Sequence, residues 1–169
     1  MSARTGAQTS RRNGRSPVVA AAGLRPLRRS LPMTLLRARE AVMERFRAML
    51  RNNGLTEQQW RVIRVLAERE PLEVSDLASH SFLLPPSLSR ILRFLAERRL
   101  IKRRPLNADQ RRHEVSLAPA GRRLFRRIAP ASEAIYLELE QAFGEKNLEQ
   151  LYALLSDLEQ SLAREKKDQ

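Results

Sequence analysis

The chain has 169 residues, 42% of them hydrophobic, enough for one compact domain with a tail or an oligomer interface. It contains no cysteine and two histidines, which excludes disulfides, thiol catalysis and thiolate metal sites and argues against a histidine zinc site. Its net charge of +13 points to polyanions, nucleic acid first, because lysine and arginine displace condensed counterions from phosphates. An anionic membrane surface is the alternative and would call for a basic amphipathic helix with an aromatic apolar face. The longest apolar run, Val18 to Leu24, is too short to cross a bilayer, so a cytoplasmic protein with no membrane partner is expected.

Residues 1–30 carry seven arginines and no acid and show no periodicity able to bury a face, which reads as a disordered basic tail. A transit segment, or an over-extended start with Met33 as the true initiator, fits the same composition. Without the tail the charge is 13 − 7 = +6, so the basic character survives.

From Thr34 the pattern becomes helical, with Leu35, Ala38, Val42, Met43, Phe46, Met49 and Leu50 at three- and four-residue spacings, and Asn53 and Gly54 end it. Thr56 caps a second helix with Trp60, Ile63, Leu66 and Ala67 as its stripe, ending before Pro71. Two short helices follow, "DLASHSF" capped by Ser75 or Asp76 and "PPSLSRILRFLAERR" opened by prolines that suit a first helical turn. "LIKRRPLNADQRRHEVSLA" then alternates around Pro, Asn and Asp, which predicts a β-hairpin with charges at its tip. Beyond Pro119 and Gly121 the chain is helical, broken near Gly144, and its last helix sustains a seam of Leu148, Leu151, Tyr152, Leu155, Leu158 and Leu162.

This order predicts a mainly α fold with a small β-hairpin wing. It is a winged helix-turn-helix DNA-binding part at about 56–118, carried on dimerisation helices at about 34–53 and 119–165. In the proline-led helix Leu88, Ile91, Leu92 and Leu95 form the inner stripe, while Ser89, Arg90 and Arg93 face away and Pro86 and Ser87 lie at the end that meets base edges. A solvated surface face is the bland alternative, and the flanking helix and basic hairpin weigh against it. In the wing, Arg111 suits the narrow, negative minor groove, and Asp109 either braces it or simply forms the turn. Lys102, Arg103, Arg104 and Arg112 fit phosphate contacts that position without specifying sequence.

The stretch from "DLASHSFLLPPSLSR" through "NADQRRHEVSLAPAG" resembles the MarR family of winged-helix transcriptional regulators, whose wing carries D-x-R followed by L-T-x-x-G. Asp109, Arg111, Leu117 and Gly121 fit that pattern; Ala118 replaces its threonine, which would weaken the cap of the following helix, and Arg99 replaces a usual glycine before "LI". "SLPMTLLRAREAVMERFRAMLRNNGLTEQQWRVIRVLAE" is similar to the start of a narrower branch, repressors of homoprotocatechuate (4-hydroxyphenylacetate) degradation.

Trp60 and Arg64, four apart on one helix, offer an aromatic wall beside a cation, a pairing that suits an aryl carboxylate. Arg39, Met43, Phe46 and Leu50 share a stripe, and Tyr136 has a hydroxyl to offer a phenol. On spacing alone, Trp60, Met43 and Phe46 as core and Arg64 as a surface ion-pair residue is the stronger reading. The branch resemblance reverses it and implies a ligand where these helices meet, with Ser30 of the partner subunit nearby. The expectation is a homodimeric repressor bound to a palindromic operator and released by an aromatic acid, without cofactor or metal. No phosphate loop or nucleophile with its base is evident, and acid pairs such as Glu138 and Glu140 sit in ordinary helix charge patterns, so no enzyme is expected. The rival is an effector-independent architectural winged helix, marked by a steep salt slope and little preference among sequences.

Overall fold

Capping chemistry sets most of the boundaries in the structure, a computed structural model that describes residues 25–106 and 109–165. The expected tail lies outside the described residues up to position 24. Beyond that, Leu27–Arg29 forms a 3-10 turn and helix α1 spans Leu31–Asn52, so order begins before Thr34. The Ser30 carbonyl accepts both the Thr34 amide and its hydroxyl. Gly54, at φ 64, closes α1 in the left-handed region that glycine enters without cost, and the Leu55 amide returns to the Leu50 carbonyl.

Helix α2, Glu57–Arg69, opens with a reciprocal capping box: Thr56 Oγ1 accepts the Gln59 amide at 3.2 Å and Gln59 Oε1 accepts the Thr56 amide at 2.9 Å. Strand β1, Leu72–Glu73, follows, then α3, Val74–Ser81. Here the structure corrects the expected cap. Glu73 holds the N-cap position, and Ser75 and Asp76 lie inside the first turn. Pairing of Leu72 and Glu73 with β3 keeps the chain extended to that point, so the helix starts as soon as the strand releases it. Helix α4, Pro85–Glu97, has prolines in its first turn as expected and buries Leu88, Ile91, Leu92 and Leu95.

Strands β2, Ile101–Leu106, and β3, Asp109–Leu117, make the expected hairpin, but the sheet has three strands in the order β1-β3-β2. A two-residue strand carries no alternation to read, so β1 becomes visible only through its antiparallel pairing. Helix α5, Pro119–Phe143, starts at Ala118 without a side-chain cap bond, as the absence of a threonine there implies. Gly144, at φ 92, separates it from α6, Glu145–Glu165.

The chain divides into two compact units, one ending at Ala41 and one beginning at Val42, and the core lies in the second. Val62, Ile63, Leu66, Leu77, Leu88, Leu95 and Val115 are fully sealed, each fully buried side chain contributing about 2 kcal/mol. Gly121 seats α5 against the root of the wing: a Cβ there would stand 2.1 Å from the Leu100 carbonyl oxygen, so only glycine fits. No described residue of α6 is buried.

Candidate nucleic-acid interface and ligand junction

The α3–α4 pair presents the helix-turn-helix. Because the stripe of α4 faces the core, the expected reading residues emerge on the opposite side: Pro86, Ser89, Arg90 and Arg93 are exposed and Ser87 is half-buried. Arg90 folds its Nε to the Pro86 carbonyl at 3.3 Å, a long bond. The far end of α4 is fastened. Arg98 Nη1 donates to the Gly54 carbonyl at 2.8 Å, and its guanidinium lies 5.3 Å from the Phe94 ring centroid. Arg99 occupies the left-handed region at φ 55, where a side chain is disfavoured, and is exposed beside the wing.

Strand geometry separates the basic residues of β2. Lys102, opposite Ser116, and Arg104, opposite Glu114, project to one face, and Arg103, opposite Val115, to the other. All three are exposed. Lys102 and Arg104 line a cleft of about 430 Å³ with Glu70, Glu114 and Arg122. The side chains of Asp109, Arg111 and Arg112 lie outside what is described; their backbone forms the return strand β3.

The residues expected to meet a ligand fall into two sets. Met43, Phe46, Leu50, Trp60, Arg64 and Tyr136 belong to the second compact unit, where α1, α2 and α5 converge. The Phe46 and Tyr136 rings meet edge to face at 5.3 Å, and Trp60 stacks on Phe125 at 5.7 Å. Leu50 is fully buried and Met43 packs against the same cluster. Arg64 pairs with Glu133 of α5 at 3.9 Å, a loose, partly solvated contact. Trp60, Phe46 and Leu50 are therefore core in the single chain, and Arg64 is a half-exposed charge. Ser30 and Arg39 belong to the first unit, where Arg39 Nη1 bonds Glu40 Oε1 at 2.6 Å.

Phe125 and Glu133 were not singled out from the sequence. The signal was present, because Phe125, Ile128, Ile135, Tyr136 and Leu139 recur at helical spacings along α5. The Tyr152 hydroxyl titrates above the ordinary tyrosine range, through partial burial first and then through Tyr136, Glu149 and Glu140.

Comparison with known proteins settles what this architecture belongs to. Residues 55–113 match the model of the MarR family. Over 129 residues, 76% of this chain and 86% of the relative, the sequence is 40% identical to the homoprotocatechuate degradative operon repressor of Escherichia coli. The chain belongs to the MarR family. It is a transcription regulator and not an enzyme. Among solved structures, this MarR-family chain resembles NadR in complex with 4-hydroxyphenylacetate, with a TM-score of 0.70 and 36% identity over 79% of this chain and 95% of that one. It also resembles the repressor CouR bound to a 23-mer DNA duplex, with a TM-score of 0.71 and 25% identity over 78% of this chain and 94% of that one. Among the described residues no helix is long and apolar enough to cross a membrane.

Proposed function

We propose that the protein is a cytoplasmic homodimeric repressor of an aromatic-acid catabolic operon, most specifically one for 4-hydroxyphenylacetate or homoprotocatechuate, and that binding the acid releases it from a palindromic operator. The observation that carries this reading is the junction of α1, α2 and α5, where Phe46 meets Tyr136, Trp60 stacks on Phe125, and Arg64, one helical turn after Trp60, pairs with Glu133 of α5. Ring faces, a phenol-type hydroxyl and a cation in a loose ion pair are what an aryl carboxylate needs. The relative's repressor function and the 4-hydroxyphenylacetate bound to NadR support the same chemistry.

In this mechanism the ligand carboxylate takes Arg64 from Glu133 while its ring enters between the aromatic side chains and parts α1 and α2 from α5. Because α2 leads directly into β1 and the helix-turn-helix, its movement alters the spacing of two wings set about one DNA turn apart. Only differential affinity for the two arrangements shifts the equilibrium, with coupling of about 1–3 kcal/mol. Arg111 enters the minor groove, braced by Asp109, and Arg90 and Arg93 with Ser87 and Ser89 face the major groove. Lys102, Arg103, Arg104 and Arg112 reach phosphates, Arg39 on α1 contributes to the ligand, and Ser30 does so from the partner subunit.

Gel-shift titration of duplex from upstream of its own gene, with and without 4-hydroxyphenylacetate and its 3,4-dihydroxy relative, tests this. Arg64→Ala should keep operator binding and lose release, whereas Arg111→Ala should weaken operator binding with or without acid. Unchanged release in the Arg64 variant removes Arg64 from the site. Equal affinity for every duplex would instead establish an architectural DNA-coating role.

A further inference from the structure

Where α2 ends, a single carboxylate stands in for a missing strand. β1 and β3 run antiparallel with Leu72 opposite Val115 and Glu73 opposite Glu114, so the same register continued by two residues sets position 70 opposite Leu117. β1 stops at Leu72, and Pro71 has no amide to extend a ladder. The Leu117 amide donates instead to Oε2 of the Glu70 side chain, while Oε1 of the same carboxylate holds the Arg122 guanidinium in the first turns of α5. Only 13% of the Glu70 side chain is exposed, against 50% for Arg122. One residue thus closes α2, secures the last residue of the wing and ties down the start of α5.

We propose that Glu70 is a positioning residue for DNA recognition, its clasp on Leu117 and Arg122 fixing the wing against the two helices that flank it. The inference rests on the chain being a DNA-binding regulator and adds a residue outside those proposed above to touch DNA or the ligand. Its sign makes it testable. Glu70 shares its cleft with Lys102 and Arg104, so charge alone says that removing an acid from a protein of net charge +13 tightens binding to any duplex. Positioning says the reverse for a specific site, because a released wing must be ordered again before it reads DNA, whereas non-specific contact makes no such demand.

The experiment compares the wild type with Glu70→Ala, Glu70→Gln, Arg122→Ala and the Glu70→Ala/Arg122→Ala pair in two measurements. In hydrogen exchange, the Leu117 amide of Glu70→Ala should exchange at least about tenfold faster while the amides of Leu66 and Leu92 keep their protection. On a duplex selected by the wild type from random sequence, Glu70→Ala should bind at least about tenfold more weakly and hold its affinity for a scrambled duplex. Glu70→Gln, which keeps an acceptor for Leu117 without the charge, should fall between, and Arg122→Ala should add little once Glu70 is gone. Unchanged exchange at Leu117, tighter binding to both duplexes, or loss of protection at Leu66 and Leu92 together with Leu117 would each overturn the positioning role. If the wild type selects no duplex, the DNA reading fails and the positioning role falls with it; a loss confined to the variants belongs to the clasp alone.

Discussion

Helices α4 and α6 are both amphipathic, and the chain treats them in opposite ways. The stripe of α4 is sealed, with Leu88, Leu92 and Leu95 at 1% exposure or less. The seam of α6 stays open, with Leu151, Tyr152, Leu154 and Leu162 at 40%, 49%, 67% and 54%. Leu35, Leu36 and Val42 on α1 are likewise exposed. A core sealed within one chain contrasts with helices whose apolar side chains stay exposed, the kind of surface that marks a site of association.

The largest test of that contrast is Leu92→Ala in α4, which should cost about 3 kcal/mol in urea unfolding through a core cavity. Gly121→Ala should be comparable, about 2–3 kcal/mol, since its methyl meets the backbone of Leu100 and not a movable side chain. Leu158→Glu in α6 should separate the two regions. Self-association measured by sedimentation should weaken at least about tenfold, or roughly 1.4 kcal/mol, while near-UV circular dichroism from the buried Trp60 is retained. Loss of both signals together would break the comparison. Thr56→Ala should remove about 1 kcal/mol by deleting the capping box of α2. Arg99→Gly should gain roughly 0.5 kcal/mol by relieving the left-handed backbone, and should lower the salt slope of DNA binding by about 1 if Arg99 meets a phosphate.

The legible parts of the fold were those written in short-range chemistry. Thr56 and Gln59, the prolines of α4, Gly54 and Gly144, and the i, i+3, i+4, i+7 stripe of α4 each specify their structure within a few residues. What escaped depends on partners distant in sequence. β1 exists because Leu72 finds Val115, the start of α3 follows from that pairing, and Glu70 matters because Leu117 and Arg122 converge on it. The junction of α1, α2 and α5 lies between these cases. Trp60 and Arg64 were readable as a pair on one helix, yet Phe125 and Glu133, which take up their side chains, come from α5 about 65 to 70 positions further on. Strand alternation divides the Lys102, Arg103 and Arg104 run between two faces of the wing, which the order of residues alone does not display.

The asymmetric mounting of α4 bears on how such a regulator changes over generations. Its trailing end is fastened to the α1–α2 turn by Arg98, while its leading end has no side-chain cap and points Pro86, Ser89 and Arg90 outward. Exchanges at the leading end leave the anchorage and the buried stripe untouched, so, on the reading proposed above for that end, promoter choice can drift with little penalty in foldedness, and paralogues can acquire new target genes on an inherited frame.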